Sequence, residues 1–188
     1  MHNLLAIDNP SDFRSWLDQN GQSEGECWVN VKRGRPSEDG SFWYLDAVEE
    51  ALCFGWIDST TKVVDGVHYQ RFSPRRAGSV WTELNKERVR RLIALGRMTE
   101  RGLAVAPPLG ERSFHPDPEV VADLKRAKVW SKFCAFPPLY RRVRLYNLAF
   151  TKGRDPEAYR KSLAHLVEET KAGRTYGEWN DHGRLLDY

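Results

Sequence analysis

The dipeptide Asp65-Gly66 constrains the fold of this chain more than any other feature, because it separates two segments rich in β-branched and aromatic residues. A two-residue Asp-Gly connection favours a type I′ turn, in which both central residues adopt positive φ. We therefore predict a β-hairpin with strands at residues 56–64 and 67–73.

The predicted hairpin brings Asp58 and Arg71 to the same face of the sheet. The turn pairs Val64 with Val67. Counting outward from it, Asp58 lies opposite Ser73 and diagonal to Arg71. A carboxylate there would hold the guanidinium and leave one edge for an oxyanion. The alternative is an ion pair on a solvated face, worth about 0–1 kcal/mol. A shift of one residue in the register would separate the two side chains.

Apolar periodicity and capping residues predict the remaining elements. They are a helix that starts at Asn9-Pro10 or Ser11 and ends at Asn20, a strand at residues 26–32, a helix at residues 46–54, a helix capped by Asn85 that stops at Gly96, and later helices that start at Asp117-Pro118 and Asp155-Pro156. This order predicts an α+β fold. We expect a small antiparallel sheet that includes the hairpin, helices packed on it, and a mostly helical C-terminal part.

The length of 188 residues suits one domain. Within it we expect an α+β core at residues 1–105, a proline-rich connector, a helical subdomain at residues 116–172 and a polar tail at residues 173–188. The N-terminal sequence does not resemble a signal peptide, and no apolar run approaches the length of a membrane span. We therefore expect a cytoplasmic protein without membrane contacts.

Basic residues are concentrated in one part of the chain. Residues 71–101 contain nine Lys or Arg and three Glu, a net charge of +6, whereas the whole chain carries +3. The rest of the chain is therefore net negative, which favours an anionic ligand near this segment. The alternative is a solvated helix face with scattered arginines.

The end of the hairpin is the candidate binding site. Two arginines extend from the strand end, and the following helix start would add backbone N–H donors for an anion. Large aromatic side chains nearby would line the pocket. The candidate ligand-binding residues are Trp56, Asp58, Arg71, Ser73, Arg75, Arg76, Trp81 and Asn85.

Other kinds of site lack a sequence signal. The three cysteines are odd in number and form no CxxC pair, and the five histidines show no HxH or HExxH spacing. No nucleotide-binding glycine motif and no GxSxG motif is present. We therefore expect no metal, no cofactor and no disulfide framework, and we interpret Cys53 as a small buried hydrophobic residue.

Three segments resemble one family. They are ALCFGWIDS at residues 51–59, RFSPRRAGSVWTELN at residues 71–85 and RVRRLIALGRM at residues 88–98, together with the nearby Gly102. They resemble the bacterial YdeI/OmpD-associated family, also called bacteriocin-protection proteins. The resemblance implies a role in bacterial stress tolerance and implies no reaction. The sequence FTKGRDPEAYRKSL departs from the Lys-rich, Thr-Arg-containing helix of that family, and the last 16 residues also differ.

The sequence thus supports three functional hypotheses. The first is a stress-tolerance protein that binds an anionic small molecule or an acidic protein partner through Arg71, Arg75 and Arg76. The second is an enzyme acting on an anionic substrate, with Asp58 as general base or as the group that orients Arg71. The third is sequence-independent nucleic-acid binding, against which the low charge of the whole chain argues.

Overall fold

A computed structural model describes residues 2–76 and 78–188. The strands are β1 (Leu4–Leu5), β2 (Cys27–Asn30), β3 (Trp56–Val64) and β4 (Val67–Pro74), and the α-helices are α1 (Pro10–Asn20), α2 (Tyr44–Cys53), α3 (Glu83–Ala94), α4 (Glu100–Ala104), α5 (Pro118–Arg126), α6 (Trp130–Cys134), α7 (Pro138–Lys152) and α8 (Pro156–Ala172). A short 3-10 turn lies at Glu111–Ser113. The predicted α+β class is confirmed.

The described strands form one sheet in the order β1-β2-β4-β3. β2, β4 and β3 are antiparallel neighbours, whereas β1 pairs with β2 in parallel. The sheet is therefore mixed: the predicted antiparallel pairing holds for β2, β4 and β3, and it is corrected at the β1 edge. β1 has two residues, so it carries no periodic pattern from which it could be predicted.

The turn of the β3–β4 hairpin has the predicted type I′ geometry. Asp65 has φ of 48° and Gly66 has φ of 77°, and Val64 pairs with Val67. The register follows the prediction as far as Thr61, which pairs with Gln70. Between Asp58 and Thr61 a β-bulge shifts the register by one residue.

The described residues fall into two compact units. The first comprises those within Met1–Val80 and Arg88–Pro107, together with Tyr188. In this unit α1 and α2 pack on the sheet, and the Phe13 and Phe72 rings lie 5.2 Å apart with both side chains fully buried. A tightly packed core of this kind fixes the strand positions that carry the candidate site.

α4 packs closely on the C-terminal end of α2 because Gly102 has no side chain. A Cβ atom added at Gly102 would lie 2.2 Å from the carbonyl oxygen of Cys53. Thr99 caps α4 and donates its hydroxyl to the same carbonyl at 2.6 Å. Glycine at this position is therefore required by a close backbone approach.

The predicted helix starts are confirmed at Asn9, Asp117 and Asp155, whose side chains accept hydrogen bonds from the first turns of α1, α5 and α8. The prediction that Asn85 caps α3 is wrong. The helix begins at Glu83, and the hydroxyl of Thr82 accepts the backbone N–H of Asn85 at 3.1 Å. Threonine is also a favoured capping residue, and it precedes Asn85 in the chain.

The second unit comprises Trp81–Glu87 and Pro108–Asp187. An aromatic cluster around Phe133 and Tyr140 forms its core. The predicted polar tail packs on this unit through buried Leu185, which joins Leu139 and Val143. Within the described residues every helix is too short or too polar to cross a membrane.

Candidate functional site

Asp58 and Arg71 lie on opposite faces of the sheet, so the prediction that they form a cross-strand pair is wrong. Because of the β-bulge, Asp58 pairs with Phe72 instead of Ser73 and faces the buried side. Arg71 and Ser73 alternate with Phe72 along β4 and therefore face the other side. The shift of one residue in register is enough to separate the carboxylate from the guanidinium.

Arg71 instead pairs with Glu26. Its Nε donates to Oε2 of Glu26 at 2.7 Å, and its Nη1 donates to the Ser59 hydroxyl at 3.2 Å. The indole N–H of Trp28 donates to the other carboxylate oxygen at 3.0 Å. The hydrogen bond from Trp28, followed by that from Arg71, lowers the pKa of Glu26 to about 2. The charge of Arg71 is therefore balanced by a carboxylate that stays ionised.

Asp58 is held by Tyr44 at the start of α2. The Tyr44 hydroxyl donates to Oδ2 of Asp58 at 2.6 Å, and both side chains are half-buried. Burial, followed by the charge of Asp58, raises the pKa of Tyr44 above its usual range, although Arg88 and Arg33 act in the opposite direction. Tyr44 therefore stays protonated and remains a donor to the carboxylate.

Arg33 lies over the ring of Tyr44, with its guanidinium carbon 4.5 Å from the ring centroid. A short backbone pairing brings the two residues together. The N–H of Tyr44 donates to the carbonyl of Lys32 at 2.9 Å, and Lys32 forms a bridge with Trp43. The chain that leaves β2 therefore runs beside the start of α2.

The guanidinium of Arg33 also donates to Gln70. Nη2 of Arg33 lies 2.5 Å from Oε1 of Gln70, whose side chain is 1% exposed. Among residues 2–76 and 78–188, Arg33 contacts no carboxylate at ion-pair distance. Its observed partners are an amide oxygen and an aromatic ring, and both are neutral. Arg33 is thus fixed in position and keeps its charge uncompensated by a direct ion pair.

The β-bulge also explains how Gln70 is satisfied inside the sheet. Its Nε2 donates to the carbonyl of Thr60 at 3.1 Å, within the bulged stretch, and to the carbonyl of Arg71 at 3.2 Å. Its Oε1 accepts from Arg33. A buried amide with these partners does not pay a desolvation cost for an unpaired group.

A cleft of about 350 Å³ opens beside Arg33 and Gln70. Its walls are formed by Val31, Arg33, Thr61, His68, Tyr69 and Gln70. This volume lies near the lower end of the range of about 300–1,000 Å³ for small-molecule sites. We call Arg33, Tyr44, Asp58, Gln70 and this cleft the Arg33 site.

Arg75 and Arg88 add positive charge near the same residues. Arg75 donates from Nη2 to the carbonyl of Val80 at 2.9 Å. Burial lowers the pKa of Arg75 while the charge of Asp58 acts to raise it. Arg88 is 7% exposed and acts electrostatically on Tyr44. The predicted residues Asp58 and Arg75 thus interact, whereas the cation closest to the cleft, Arg33, was not predicted.

The other predicted ligand residues occupy different environments. Trp56 is 1% exposed and donates its indole N–H to the carbonyl of Gly21 at 3.1 Å, so it belongs to the core. Arg76 is exposed beyond the end of β4. Trp81 and Asn85 belong to the second compact unit.

Several arginines of the basic segment that follow β4 are balanced by acidic side chains. Glu49, 2% exposed, accepts from Arg91 at 2.7 Å and from Arg97 at 3.1 Å. Glu50, 5% exposed, accepts from Arg97 at 2.7 Å and from Arg14 at 2.8 Å. These buried pairs join α1, α2, α3 and Arg97, which lies between α3 and α4. Part of the positive charge in the basic segment therefore serves to hold the elements of this unit together.

The last candidates in the described part of the chain are a metal site and a reactive thiol at Cys53. No group of three or more His, Cys, Asp or Glu side chains there is arranged to hold a metal ion. Cys53 is fully buried, and burial raises the pKa of its thiol to about 11. The interpretation of Cys53 as a buried hydrophobic residue agrees with its position.

Comparison with known proteins identifies a family without an assigned role. A family model described as a domain of unknown function, DUF8412, matches residues 5–105. This range is more than half of the 188 residues and contains the whole Arg33 site. No curated protein and no solved structure matches the chain.

Proposed function

Since the chain belongs to the DUF8412 family of unknown function, we propose its function from the geometry of the Arg33 site: it binds a small anionic molecule there. The observation that carries the proposal is that Arg33 is anchored by neutral groups, the amide of Gln70 and the ring of Tyr44. A guanidinium held in this way is oriented in advance and keeps its charge for a ligand.

The electrostatic surroundings support an anion as the ligand. Asp58 is the acidic group of the site, and Arg75 and Arg88 act on it or on its partner Tyr44. Positive charge near a partly buried cleft attracts anions and is screened less than charge on an open surface. Arg71, which is paired with Glu26, has a structural role in this proposal.

The direct test replaces the guanidinium and keeps the rest of the site. We expect a small anion from a panel of acetate, benzoate and inorganic phosphate to shift the Gln70 side-chain amide signal in an NMR titration. Arg33→Met should abolish that shift. Arg35→Met is the matched control, because Arg35 lies exposed in the same loop. Arg71→Ala should leave the shift in place. If no anion of the panel perturbs Gln70, the proposal fails.

A cellular role in stress tolerance is also proposed, and it is supported by the resemblance to the YdeI/OmpD-associated proteins. A cytoplasmic location fits the free thiols of Cys27, Cys53 and Cys134. Deletion of the gene should lower survival under bacteriocin or envelope stress. Complementation with the wild-type gene should restore survival, and complementation with the Arg33→Met variant should not. Equal rescue by both would separate the stress role from the Arg33 site.

A further inference from the structure

We propose, building on the anion-binding function above, that the ligand of the Arg33 site is a compact monocarboxylate with a flat apolar body. The carboxylate would pair with Arg33, and the body would lie in the cleft between the end of β2 and the β3–β4 hairpin. Three observations on the cleft lead to this class of ligand: its charge, its supply of hydrogen-bonding groups and the chemistry of its walls.

The charge of the cleft matches a single negative charge. Of the residues that line it, Arg33 is the one Lys, Arg, Asp or Glu. A phosphate monoester carries about −1.5 to −2 charges at neutral pH. Part of that charge would lack a direct partner among the residues that line the cleft, since Arg75 and Arg88 lie outside the lining. A carboxylate carries one charge, and its two oxygens fit the planar donor edge of a guanidinium.

The amide of Gln70 has no donor left for a ligand. Both described contacts of its Nε2 are carbonyl oxygens, those of Thr60 and Arg71, and its Oε1 accepts from Arg33. The remaining polar side-chain groups of the lining are the hydroxyl groups of Thr61 and Tyr69 and the ring of His68. A polyhydroxylated ligand such as a sugar would bury hydroxyl groups with few partners, which costs free energy.

Carbon-rich side chains form the rest of the walls. Val31, His68 and Tyr69 line the cleft beside Arg33. Val63 lies two residues beyond Thr61 on the same face of β3, pairs with His68, and is 52% exposed. The apolar surface therefore continues outward from the cleft along the hairpin. Such a wall favours a flat hydrocarbon or aromatic body.

The test uses three probes that separate charge from shape: 1-naphthoate, its neutral analogue 1-naphthamide, and inorganic phosphate. Isothermal titration calorimetry of the full-length protein should show binding of naphthoate. Naphthamide and phosphate should each bind at least tenfold more weakly. Arg33→Met should remove naphthoate binding, whereas Arg35→Met should not.

A second pair of variants tests the cleft itself. Thr61→Trp places a large ring on the face of Thr61 and Gln70, and should weaken naphthoate binding at least tenfold by filling the cleft. Val64→Trp places the same ring on the opposite face of β3 and should leave binding unchanged. The same binding by both tryptophan variants would overturn the placement of the ligand body.

The outcomes distinguish this inference from the proposed function. If phosphate binds as tightly as naphthoate and Arg33→Met abolishes both, the protein is an anion binder and the monocarboxylate assignment is wrong. If naphthamide binds as tightly as naphthoate, the cleft recognises shape without charge and the assignment also fails. If none of the panel anions or these probes binds, both proposals fail.

Discussion

Nη2 of Arg33 lies 2.5 Å from Oε1 of Gln70, so an exposed cation is fixed by an amide that is 1% exposed. The amide is neutral and therefore orients the guanidinium without cancelling its charge. Arg71, the residue after Gln70 in β4, differs from Arg33 in that its guanidinium is paired with the carboxylate of Glu26. The charge of Arg71 is thus compensated by a carboxylate, whereas the partners of Arg33 are neutral.

The first prediction concerns the anchor. Gln70→Met keeps the size of the side chain but removes the donor to the carbonyls of Thr60 and Arg71 and the acceptor from Arg33. We expect a loss of about 1–3 kcal/mol in the free energy of unfolding, measured by urea denaturation, and weaker anion binding. Gln19→Met, on the exposed face of α1, should cost less than about 0.5 kcal/mol. Equal effects of the two substitutions would contradict this account.

The second prediction concerns the buried ion pairs. Glu49→Ala removes a carboxylate that is 2% exposed and pairs with both Arg91 and Arg97. Arg97 keeps its second partner, Glu50. Removal of one member of a buried pair costs about 3–5 kcal/mol, and we expect the lower end because Arg97 is 33% exposed. Thermal or urea unfolding measures the change.

Asp18→Ala is the control for this network. Asp18 pairs with Arg101 at 2.5 Å, but its side chain is 67% exposed. Exposed pairs contribute about 0–1 kcal/mol, so this variant should stay close to wild type. A loss for Glu49→Ala as small as that for Asp18→Ala would show that the buried pairs do not hold the helices together.

The third prediction concerns the contact between α4 and α2. Gly102→Ala places a Cβ atom 2.2 Å from the carbonyl oxygen of Cys53, and backbone must move to relieve the clash. We expect destabilisation of about 1–3 kcal/mol or more, seen as a lower midpoint of thermal unfolding. Gly25→Ala meets no atom within 4 Å and should leave the midpoint nearly unchanged. Similar midpoints for the two variants would disprove the close approach.

The fourth prediction concerns acid stability. Hydrogen bonds from Trp28 and Arg71 lower the pKa of Glu26 from 4.5 to about 2, so folding favours its ionised form. The stabilisation is complete above the unfolded-state pKa and is lost as the pH falls toward the folded-state value. The difference in unfolding free energy between wild type and Glu26→Gln should therefore be about 1 kcal/mol above pH ~5.5 and should shrink toward pH ~3.

Glu38→Gln serves as the reference for this titration, because Glu38 is exposed. Its difference from wild type should stay near zero over the whole pH range. A Glu26→Gln difference that is constant between pH ~3 and ~6 would mean that the ion pair with Arg71 does not contribute through the ionisation of Glu26.

Local sequence signals predicted the hairpin, its turn and several helix starts. Asp65-Gly66 favours the turn through the backbone angles of these two residues. The capping residues Asn9, Asp117 and Asp155 accept hydrogen bonds from residues two or three positions further along the chain. Asn85 was assigned wrongly because Thr82 offers the same capping chemistry three residues earlier. Local rules therefore locate an element well and choose poorly between two capping residues a few positions apart.

The Arg33 site was harder to predict because its residues are far apart in the sequence. Gln70 carried a usable signal, since alternation along β4 places a polar side chain on the same face as buried Phe72. A buried polar residue needs partners, and the search for them leads to Arg33. Arg33 itself follows a short strand and precedes a Gly- and Pro-containing loop, where nothing in the local sequence distinguishes it from Arg35.

The α+β class, the hairpin and its type I′ turn can be predicted from the sequence, because they follow from periodicity and from residues that favour particular backbone angles. Packing between distant segments settles which arginine, Arg71, has a direct ion pair and which, Arg33, has neutral partners. Because of the β-bulge, Asp58 contacts Tyr44, and Arg71 pairs with Glu26. The backbone pairing of Lys32 with the start of α2 places Arg33 beside Tyr44, where it also donates to Gln70. Charge compensation depends on which side chains meet in space, and that is set by register and packing between distant segments.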